Sequence, residues 1–314
     1  MAVDYENDLV LLTAAGGKQV AHILHFISGK WKRIRLVVNG KESQKRLSES
    51  YPQAEVMRAD LTLPQDCKRA LAGVTTIFHT GPSFHPHETA LSYMVIDAAL
   101  EEAKNSEFQH FILSSVLNSQ LRKLIHHDEK KMVEEYIMES GLNYTILQPG
   151  HFMDMFPIKK LLAEGSPVYP ARWNLDIPFS YLSAHDLGEA TAIVMAEREK
   201  HYLAQYPLVS THLSGGYRQV CSIASKIIGK EIRIEQMSFE DIINGPIEQK
   251  IGLPPHPATR DIAQRMLLYY NFHGLVGNPN ILEWLLRRKP LSWEAWIEMK
   301  MKDEKAESRG AHVA

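Results

Sequence analysis

Hydroxyl, imidazole and ammonium side chains follow one another closely in residues 114–136, SSVLNSQLRKLIHHDEKKMVEEY. His126 precedes Lys130 by four residues, so on a helix the two side chains share one face. An imidazole can donate a proton near neutral pH, although a nearby ammonium lowers its pKa and favours the neutral ring, the poorer donor. Ser114 and Ser115 offer hydroxyls that can polarise a carbonyl. These four residues are catalytic candidates; the alternative is a solvated helix start with favourable acidic residues in its first turn.

A second group of residues has the outline of a dinucleotide-binding turn. In residues 11–24, LLTAAGGKQVAHIL, an apolar run passes through small residues into a helical pattern. Such turns use glycines for a tight bend, for approach to a pyrophosphate and for helix–sheet packing. Gly16 and Gly17 still allow the backbone to approach a pyrophosphate closely. The backbone amides at the start of the following helix favour an anion there.

Two positions depart from that outline. Ala14 stands where a glycine is usual, which is tolerable if its φ is negative. Val20 replaces the packing glycine and is expected to push the helix slightly off the sheet. A strand–turn–helix without any ligand is the alternative reading of this stretch.

The ends of the next two strands bear on which cofactor the turn would hold. Strand two ends in VVNGKES, without the terminal acid that marks NAD. Asn39, Lys41 and Ser43, expected in a turn, fit a 2′-phosphate and favour NADP, unless Lys41 is simply solvated. Asp60, at the end of strand three, either accepts a hydrogen bond from the adenine amino group or caps the helix from residue 64.

Short apolar runs alternate with helical patterns through the first half of the chain, which is typical of βαβ units and a parallel sheet. Strands are predicted at 8–14, 34–39, 54–61, 75–81, 109–116 and 143–150, and helices at 18–28, 88–106 and 128–141. Later segments are less regular. They are predicted to form a helix at 185–197, a last strand at 206–215, a helix then a strand in 217–238, and two amphipathic segments in 281–300 broken at Pro290.

The fold class that these elements predict is α/β, a Rossmann-like doubly wound parallel sheet with a smaller discontinuous C-terminal α/β lobe. The dinucleotide-binding domain is expected over residues 1–152, with 185–215 returning to it. The second lobe is expected from 153–184 and 216–303, followed by a frayed tail at 304–314.

Composition narrows the class of protein. The 314 residues are 45% hydrophobic, enough for a sizeable core, and the net charge is −2. With a pI of about 6.7, no global field favours nucleic acid or an anionic membrane. Two cysteines suit a reducing compartment, and 15 scattered histidines without a ligand motif predict no metal site. The absence of a signal-peptide pattern or a long apolar run predicts a cytoplasmic protein.

Three stretches together resemble the NmrA-like branch of the atypical short-chain dehydrogenases: LLTAAGGKQVA, HHDEKKMVEEYIMESGLNYTILQPGHFMD and SAHDLGEATA. The tail GNPNILEWLLRRKPLSWEAWI resembles fungal members. The resemblance implies a Rossmann domain with a small substrate lobe, and either an NADPH-dependent reductase or a cofactor-sensing protein without turnover. Short-chain dehydrogenases place a tyrosine four residues before the lysine that binds the nicotinamide ribose. His126 takes that place here, as it does in sensor-like relatives.

The resemblance also implies a site. The cofactor would contact Thr13, Ala15, Gly16, Gly17, Lys18, Gln19, Asn39, Lys41, Asp60, Leu61, Thr80, Gly81, Lys130, Pro149, Gly150, His151 and Phe152. An apolar, aromatic cleft between the lobes would hold the substrate, lined by Phe84, His85, Met153, Phe156, Tyr169 and Trp173. For each of these six residues, burial between the lobes is the alternative.

Three functions are carried forward. The first is an NADP-dependent reductase, with NAD as an alternative cofactor, acting on a carbonyl or conjugated double bond of an apolar metabolite in secondary metabolism. The second is a non-catalytic regulator that senses the NADP redox state and binds a protein partner. The third is a redox-neutral isomerase or cyclase on the same fold. The expected partners are a small-molecule substrate and, for a sensor, a protein partner. The chain is expected to be a monomer or a homodimer, with no direct contact to nucleic acid and no membrane.

Overall fold

A computed structural model describes residues 2–105, 107–212, 215–247 and 257–310. The chain divides into two compact units. Unit 1 comprises Met1–Pro149 and Leu187–Leu208, and unit 2 comprises Gly150–Asp186 and Val209–Ala314. The first boundary, expected at residue 152, falls at residue 149, and the returning segment is 187–208 where 185–215 was expected.

Eleven strands are formed by the described residues. Their bounds are β1 Leu9–Leu12, β2 Arg33–Val38, β3 Glu55–Arg58, β4 Thr76–Thr80, β5 His110–Ser114, β6 Tyr144–Pro149, β7 His151–Phe152, β8 Val168–Ala171, β9 Tyr181–Leu182, β10 Ala204–Leu208 and β11 Arg233–Gln236. Seven of them form one parallel sheet in unit 1, in the order β10-β6-β5-β4-β1-β2-β3. This sheet confirms the predicted doubly wound α/β class.

The position of β1 in this sheet determines where a ligand is expected. The chain runs outward from β1 to β3 on one side and from β4 to β10 on the other, so the strand order reverses between β1 and β4. Ligands of open parallel sheets bind outside the carboxyl ends of the strands at such a reversal. All four residues of β1 are buried, because helices cover both faces of a doubly wound sheet.

The helices have the bounds α1 Lys18–Ile27, α2 Lys41–Ser50, α3 Pro64–Leu71, α4 Glu88–Asn105, α5 Ile125–Glu139, α6 Ile158–Ala163, α7 Ala184–Glu197, α8 Tyr217–Ile228, α9 Phe239–Ile242, α10 Pro257–His273, α11 Asn280–Leu286 and α12 Trp293–Gly310. None of these helices combines the length and the apolar character needed to cross a bilayer.

Helix α1 packs without the glycine that the dinucleotide turn normally supplies. Val20 is fully buried with Ile23, Leu24 and Ile27 and belongs to the core face of the helix. A glycine for close approach is found elsewhere, at Gly188 in α7. A Cβ on Gly188 would lie 2.7 Å from the backbone carbonyl atoms of His22. Gly188 therefore allows α7 to contact α1 closely, which is helix–helix packing and not the helix–sheet packing that the glycine of the turn normally allows.

Several local predictions are wrong in detail. The segment after strand two is a helix and not a turn, because α2 begins at Lys41 with Gly40 as its N-cap. Helix α5 begins at Ile125, three residues before the predicted start. Residues 304–310, expected to be frayed, continue α12, and the rest of that tail, 311–314, lies outside the described residues. Helices α6 and α10 were not predicted.

Unit 2 contains two small parallel sheets, β7 with β9 and β8 with β11. Its interior is rich in aromatic side chains that contact one another edge to face or stacked. They include Phe156, Tyr169, Trp173, Phe179, Tyr181, Tyr217 and Trp293. This aromatic core holds together a unit whose sheets have only two strands each.

Candidate functional site

The turn from β1 into α1 lies at the reversal of strand order and has a form that fits a diphosphate. The Gly17 N–H donates to the Ala14 carbonyl at 2.9 Å, which closes the turn. A Cβ on Gly17 would lie 3.2 Å from that same carbonyl oxygen, and a Cβ on Gly16 would lie 3.2 Å from Ser43 Oγ. No side chain caps α1, so its first-turn N–H groups lack an internal acceptor and point toward any anion in front of the helix.

The negative φ that would make Ala14 tolerable in this turn is not found. The φ of Ala14 is +48°, in the left-handed region. For a residue with a Cβ this conformation costs roughly 1–2 kcal/mol through contact with the following carbonyl. Ala14 itself is exposed, and Val20 is buried on the core face of α1.

A cation from α2 contacts this turn. The Arg46 guanidinium donates to the Gly16 carbonyl at 3.4 Å, and Ser43 lies beside the same glycine. Arg46 is exposed and reaches the turn because α2 begins at Lys41 and places residues 43 and 46 on one face. Hydroxyl and guanidinium groups at this position suit a phosphate.

The remaining cofactor-binding candidates beside this turn are exposed or half-buried. Asn39 and Lys41 are exposed. Asp60 Oδ1 accepts hydrogen bonds from the Thr62 N–H at 3.0 Å and the Thr62 hydroxyl at 2.6 Å, and these bonds lower the pKa of Asp60. The N-cap of α3 is Leu63 and not Asp60, so the capping alternative for Asp60 is wrong. Leu61 is half-buried.

Thr13 links β1 to β4 through its hydroxyl. The Thr80 N–H donates to Thr13 Oγ1 at 3.1 Å, and Thr13 Oγ1 lies 3.0 Å from His79 Nδ1. His79 Nε2 in turn lies 3.1 Å from Ser92 Oγ. Burial lowers the pKa of His79 to about 3, so this fully buried ring is neutral. The Thr13 hydroxyl is therefore engaged in hydrogen bonds between β1 and β4.

Lys130 forms a buried ion pair. Its Nζ lies 2.5 Å from Glu88 Oε1, and the two side chains are 9% and 1% exposed. Glu88 also packs against the end of β4, where a Cβ on Gly81 would lie 3.0 Å from Glu88 Cγ. The structure therefore brings Gly81, Glu88 and Lys130 together at the carboxyl edge of the sheet.

A second carboxyl group belongs to the same cluster. Burial, and then the Glu88 carboxylate, raise the pKa of Glu129 to about 7, against the opposing effect of Lys130. Glu129 therefore titrates near neutral pH, where a proton donor and acceptor is most effective.

His126 is buried at the start of α5. Its pKa is well below its usual value because of burial, then His127, then Lys130. The lysine contributes as the sequence analysis expected, although burial is the larger cause. The neighbouring His127 donates from Nδ1 to the Asn118 carbonyl at 2.9 Å, and burial lowers its pKa to about 4. The ring of Phe84, a substrate candidate, lies over His126 with 5.5 Å between centroids.

The two serine candidates at the end of β5 point to different partners. Ser114 donates to Gln19 Oε1 at 2.8 Å, so a catalytic candidate contacts a cofactor candidate. Ser115 donates to the buried Glu134 carboxylate at 2.5 Å. Glu134 also accepts from Ser119 at 2.6 Å and from Gln148 at 2.8 Å. The Ser115 hydroxyl is therefore engaged with a carboxylate that accepts three hydrogen bonds.

In unit 2, the substrate candidates Met153, Phe156, Tyr169 and Trp173 are all at most 5% exposed and belong to the aromatic core. His151 is buried and its Nε2 lies 2.8 Å from the Tyr217 hydroxyl. Gly150 is buried and Phe152 is half-buried, as is His85 in unit 1. Pro149 ends β6 and accepts from the Leu117 N–H at 2.9 Å. The roles assigned to these residues stay predictions.

Five residues at or beside the site were not found from the sequence: Arg46, His79, Glu88, Glu129 and Glu134. A signal existed for Glu134, because it follows His126 and Lys130 at the same spacing of four and so shares their helix face. Glu88 and His79 lie far from α5 in the sequence, and only the sheet order brings them near it.

A Rossmann-type sheet with a glycine turn at its reversal defines a class of dinucleotide-binding fold. The NmrA-like family model matches residues 6–305, and the chain belongs to the NmrA-like family. A curated relative, the prestalk A differentiation protein A of Dictyostelium discoideum, is 21% identical over 254 residues, 78% of each chain.

Two solved structures share the fold. The Citrobacter sp. triphenylmethane reductase, complexed with NADP(H), has a TM-score of 0.72 at 19% identity over 91% of this chain and 98% of its own. NmrA, described as a negative transcriptional regulator in complex with NADP, has a TM-score of 0.71 at 18% identity over 93% and 94%. The fold is therefore shared by a reductase and by a regulator.

Proposed function

We propose that this protein is an NADPH-dependent reductase that acts on a carbonyl or a conjugated double bond of an apolar small molecule. The Gly16–Gly17 turn at the reversal of strand order carries the proposal, because its glycines leave room for a phosphate and Arg46 stands beside it. The NADP(H) complexes of the two structural relatives support the choice of cofactor.

In this proposal, residues of unit 1 bind the cofactor and polarise the substrate. The turn and the start of α1 bind the diphosphate, and Arg46, Ser43 and Lys41 bind the 2′-phosphate. Bound NADPH supplies a hydride for the acceptor carbon. Lys130, held by Glu88, donates to the nicotinamide ribose. Ser114 polarises the acceptor once its hydroxyl turns away from Gln19 Oε1, a half-buried partner that is easier to exchange than the buried Glu134 carboxylate that holds Ser115.

A proton must accompany the hydride, and two side chains of the cluster are candidates to deliver it. His126 is kept neutral by burial, which makes it a weak donor at neutral pH. Glu129 has a pKa of about 7 and is half protonated there. We therefore assign proton delivery to Glu129 in preference to His126.

A regulator that senses NADP is the second candidate. It is favoured by the absence of a tyrosine four residues before Lys130 and by the ion pair that engages this lysine within the protein. Such a protein keeps cofactor binding and has no turnover, which is the combination expected if the cluster only holds the fold together.

One pair of measurements separates the candidates. Calorimetric titration of the full chain with NADPH, NADP+ and NADH measures binding. The loss of reduced-nicotinamide absorbance with a quinone and with a triphenylmethane dye measures turnover. A reductase binds NADPH more tightly than NADH and consumes it with an acceptor. A regulator binds without consumption and distinguishes NADPH from NADP+. No binding of any nucleotide would overturn both.

A further inference from the structure

A cavity of about 360 Å³ lies within unit 2, in a part of the chain to which the proposed function assigns no role. Its volume is in the range of small-molecule sites. It opens where β8 and β11 end: Arg172 follows the last residue of β8 and Met237 the last residue of β11. Because these two strands are parallel, their carboxyl ends lie at one edge of the small sheet, and the cavity lies at that edge.

The charge of the cavity is positive. Arg218 and Asp176 form a two-bond ion pair at 2.8 and 3.0 Å, so their charges cancel. Arg172 is half-buried and lines the cavity, and among the described residues no carboxylate or other acceptor is bonded to it. A partly desolvated guanidinium without a counterion attracts an anion and presents a planar set of donors to it.

The other polar groups of the cavity already have partners. Gln236 Nε2 donates to the Ala171 carbonyl at 3.0 Å. Asn271 accepts from the Asn174 N–H and donates to the Leu267 carbonyl at 2.9 Å. Arg172 is therefore the donor that a ligand would meet.

The rest of the lining is apolar. Leu175, Met237, Phe239 and Ile242 form the wall beside these polar groups. A ligand that used the whole cavity would combine one negative charge with an apolar body.

We propose that this cavity is a binding site for a small organic carboxylate. The carboxylate pairs with Arg172, and the apolar body packs against Met237 and Phe239. The site is built from unit 2 alone and does not depend on NADPH binding in unit 1, so the two proposals can fail separately.

The test uses the full chain with ¹³C-labelled methionine methyl groups. The Met237 signal is assigned from its loss in Met237→Leu. The probes are 1-naphthoate, the neutral 1-naphthylmethanol and inorganic phosphate, each titrated with and without saturating NADPH. We expect 1-naphthoate to shift the Met237 signal saturably in both conditions, and the alcohol and phosphate to bind at least tenfold more weakly.

Two variants of Arg172 test whether its guanidinium binds the carboxylate. Arg172→Gln should weaken 1-naphthoate binding about tenfold or more, as expected for a lost charged hydrogen bond. The affinity of Arg172→Lys for 1-naphthoate should lie between that of Arg172→Gln and that of the wild type. Arg233→Gln is the matched control, since Arg233 starts β11, is exposed and pairs with Glu235; it should leave binding unchanged.

Three results would overturn the proposal: no saturable Met237 shift with 1-naphthoate, equal binding by the alcohol or by phosphate, or equal affinity in Arg172→Gln. If either Arg172 variant unfolds, the comparison of carboxylate with alcohol in the wild-type protein decides the question.

Discussion

Two regions of unit 1 meet at the same edge of the sheet and are built in opposite ways. The Gly16–Gly17 turn is exposed backbone, with small residues and one cation from α2 beside it. The α4–α5 cluster, formed by Glu88, Glu129, Lys130 and His126, is buried or half-buried and made of ionisable side chains. Backbone turns tolerate changes of side chain around them, whereas a buried charge cluster requires every partner. The turn can therefore keep its form while the side chains around it change, and the cluster cannot.

The largest expected effect comes from breaking the buried pair. Lys130→Met leaves Glu88 without its partner in the interior, which we expect to cost about 3–5 kcal/mol in the free energy of unfolding. The double variant Glu88→Gln/Lys130→Met removes both charges and should regain most of that loss. Urea denaturation of the three proteins measures the effect.

The matched control is Lys131→Met. Lys131 pairs with Glu135 at 2.9 Å on the surface of the same helix, and such a pair contributes only about 0.3–0.5 kcal/mol. Equal losses for Lys130→Met and Lys131→Met would mean that the two pairs do not differ. A double variant that folds and still consumes NADPH would remove Lys130 from the proposed mechanism.

The second expected effect is acid sensitivity that comes from the buried histidines in and around the cluster. His79, His126 and His127 have lowered pKa values in the folded state, so their stabilising effect is complete above pH 6.5 and is lost as the pH falls. Glu129 acts in the opposite direction, because its raised pKa favours the folded state at low pH and this effect is lost as the pH rises from about 4.5 to 7.

The three histidines outweigh Glu129, so these four groups together should lower the free energy of unfolding by about 3 kcal/mol between pH 6.5 and pH 5. His110, whose pKa burial lowers to about 3, adds to this loss in the same direction. Urea denaturation at several pH values gives the free energy, and NMR titration of the imidazoles gives the individual pKa values. Stability that is flat over this range, or histidine signals that titrate near pH 6.5, would contradict the buried neutral cluster.

The third effect concerns the turn. Arg46→Gln should weaken NADPH binding about tenfold or more, because a charged hydrogen bond to the 2′-phosphate is lost, and should leave NADH binding unchanged. Lys45→Gln, on the next position of α2, is the control, and Lys41→Gln tests the lysine that the sequence analysis favoured. Calorimetry gives both affinities. An equal loss for NADPH and NADH would show that Arg46 does not read the 2′-phosphate.

The two regions also differ in how well the sequence predicted them. The turn is contiguous, so its glycines, its strand and its helix could be read directly, and the strand pattern gave the parallel sheet. The helix α2 was missed because it is short of apolar residues: Leu47 is its only buried residue. Because α2 was missed, the contact of Arg46 with the Gly16 carbonyl was not predicted either.

The cluster was harder to predict because its partners are distant in sequence. His126 and Lys130 share a helix face by their spacing, but Glu88 reaches Lys130 only through the pairing of β4 with β5. The degree of burial was also not predictable, since HHDEKK is as polar as a solvated helix start. In the structure His126, His127 and Lys130 are all less than a tenth exposed.

The smallest expected effect concerns strain in the turn. Ala14 adopts φ +48°, which glycine reaches without steric cost. Ala14→Gly should therefore stabilise the protein by about 0.5–1 kcal/mol, the relief of strain being partly offset by greater freedom of the unfolded chain.

Ala15→Gly is the matched control: Ala15 is buried and has no positive φ, so the same change of side chain should destabilise by about 1 kcal/mol. Urea denaturation measures both, and an Ala14→Gly protein that is less stable than the wild type would mean that the turn is not strained. If NADPH affinity rises in Ala14→Gly as well, the strain opposes the bound form of the turn; if affinity is unchanged, the alanine affects folding alone.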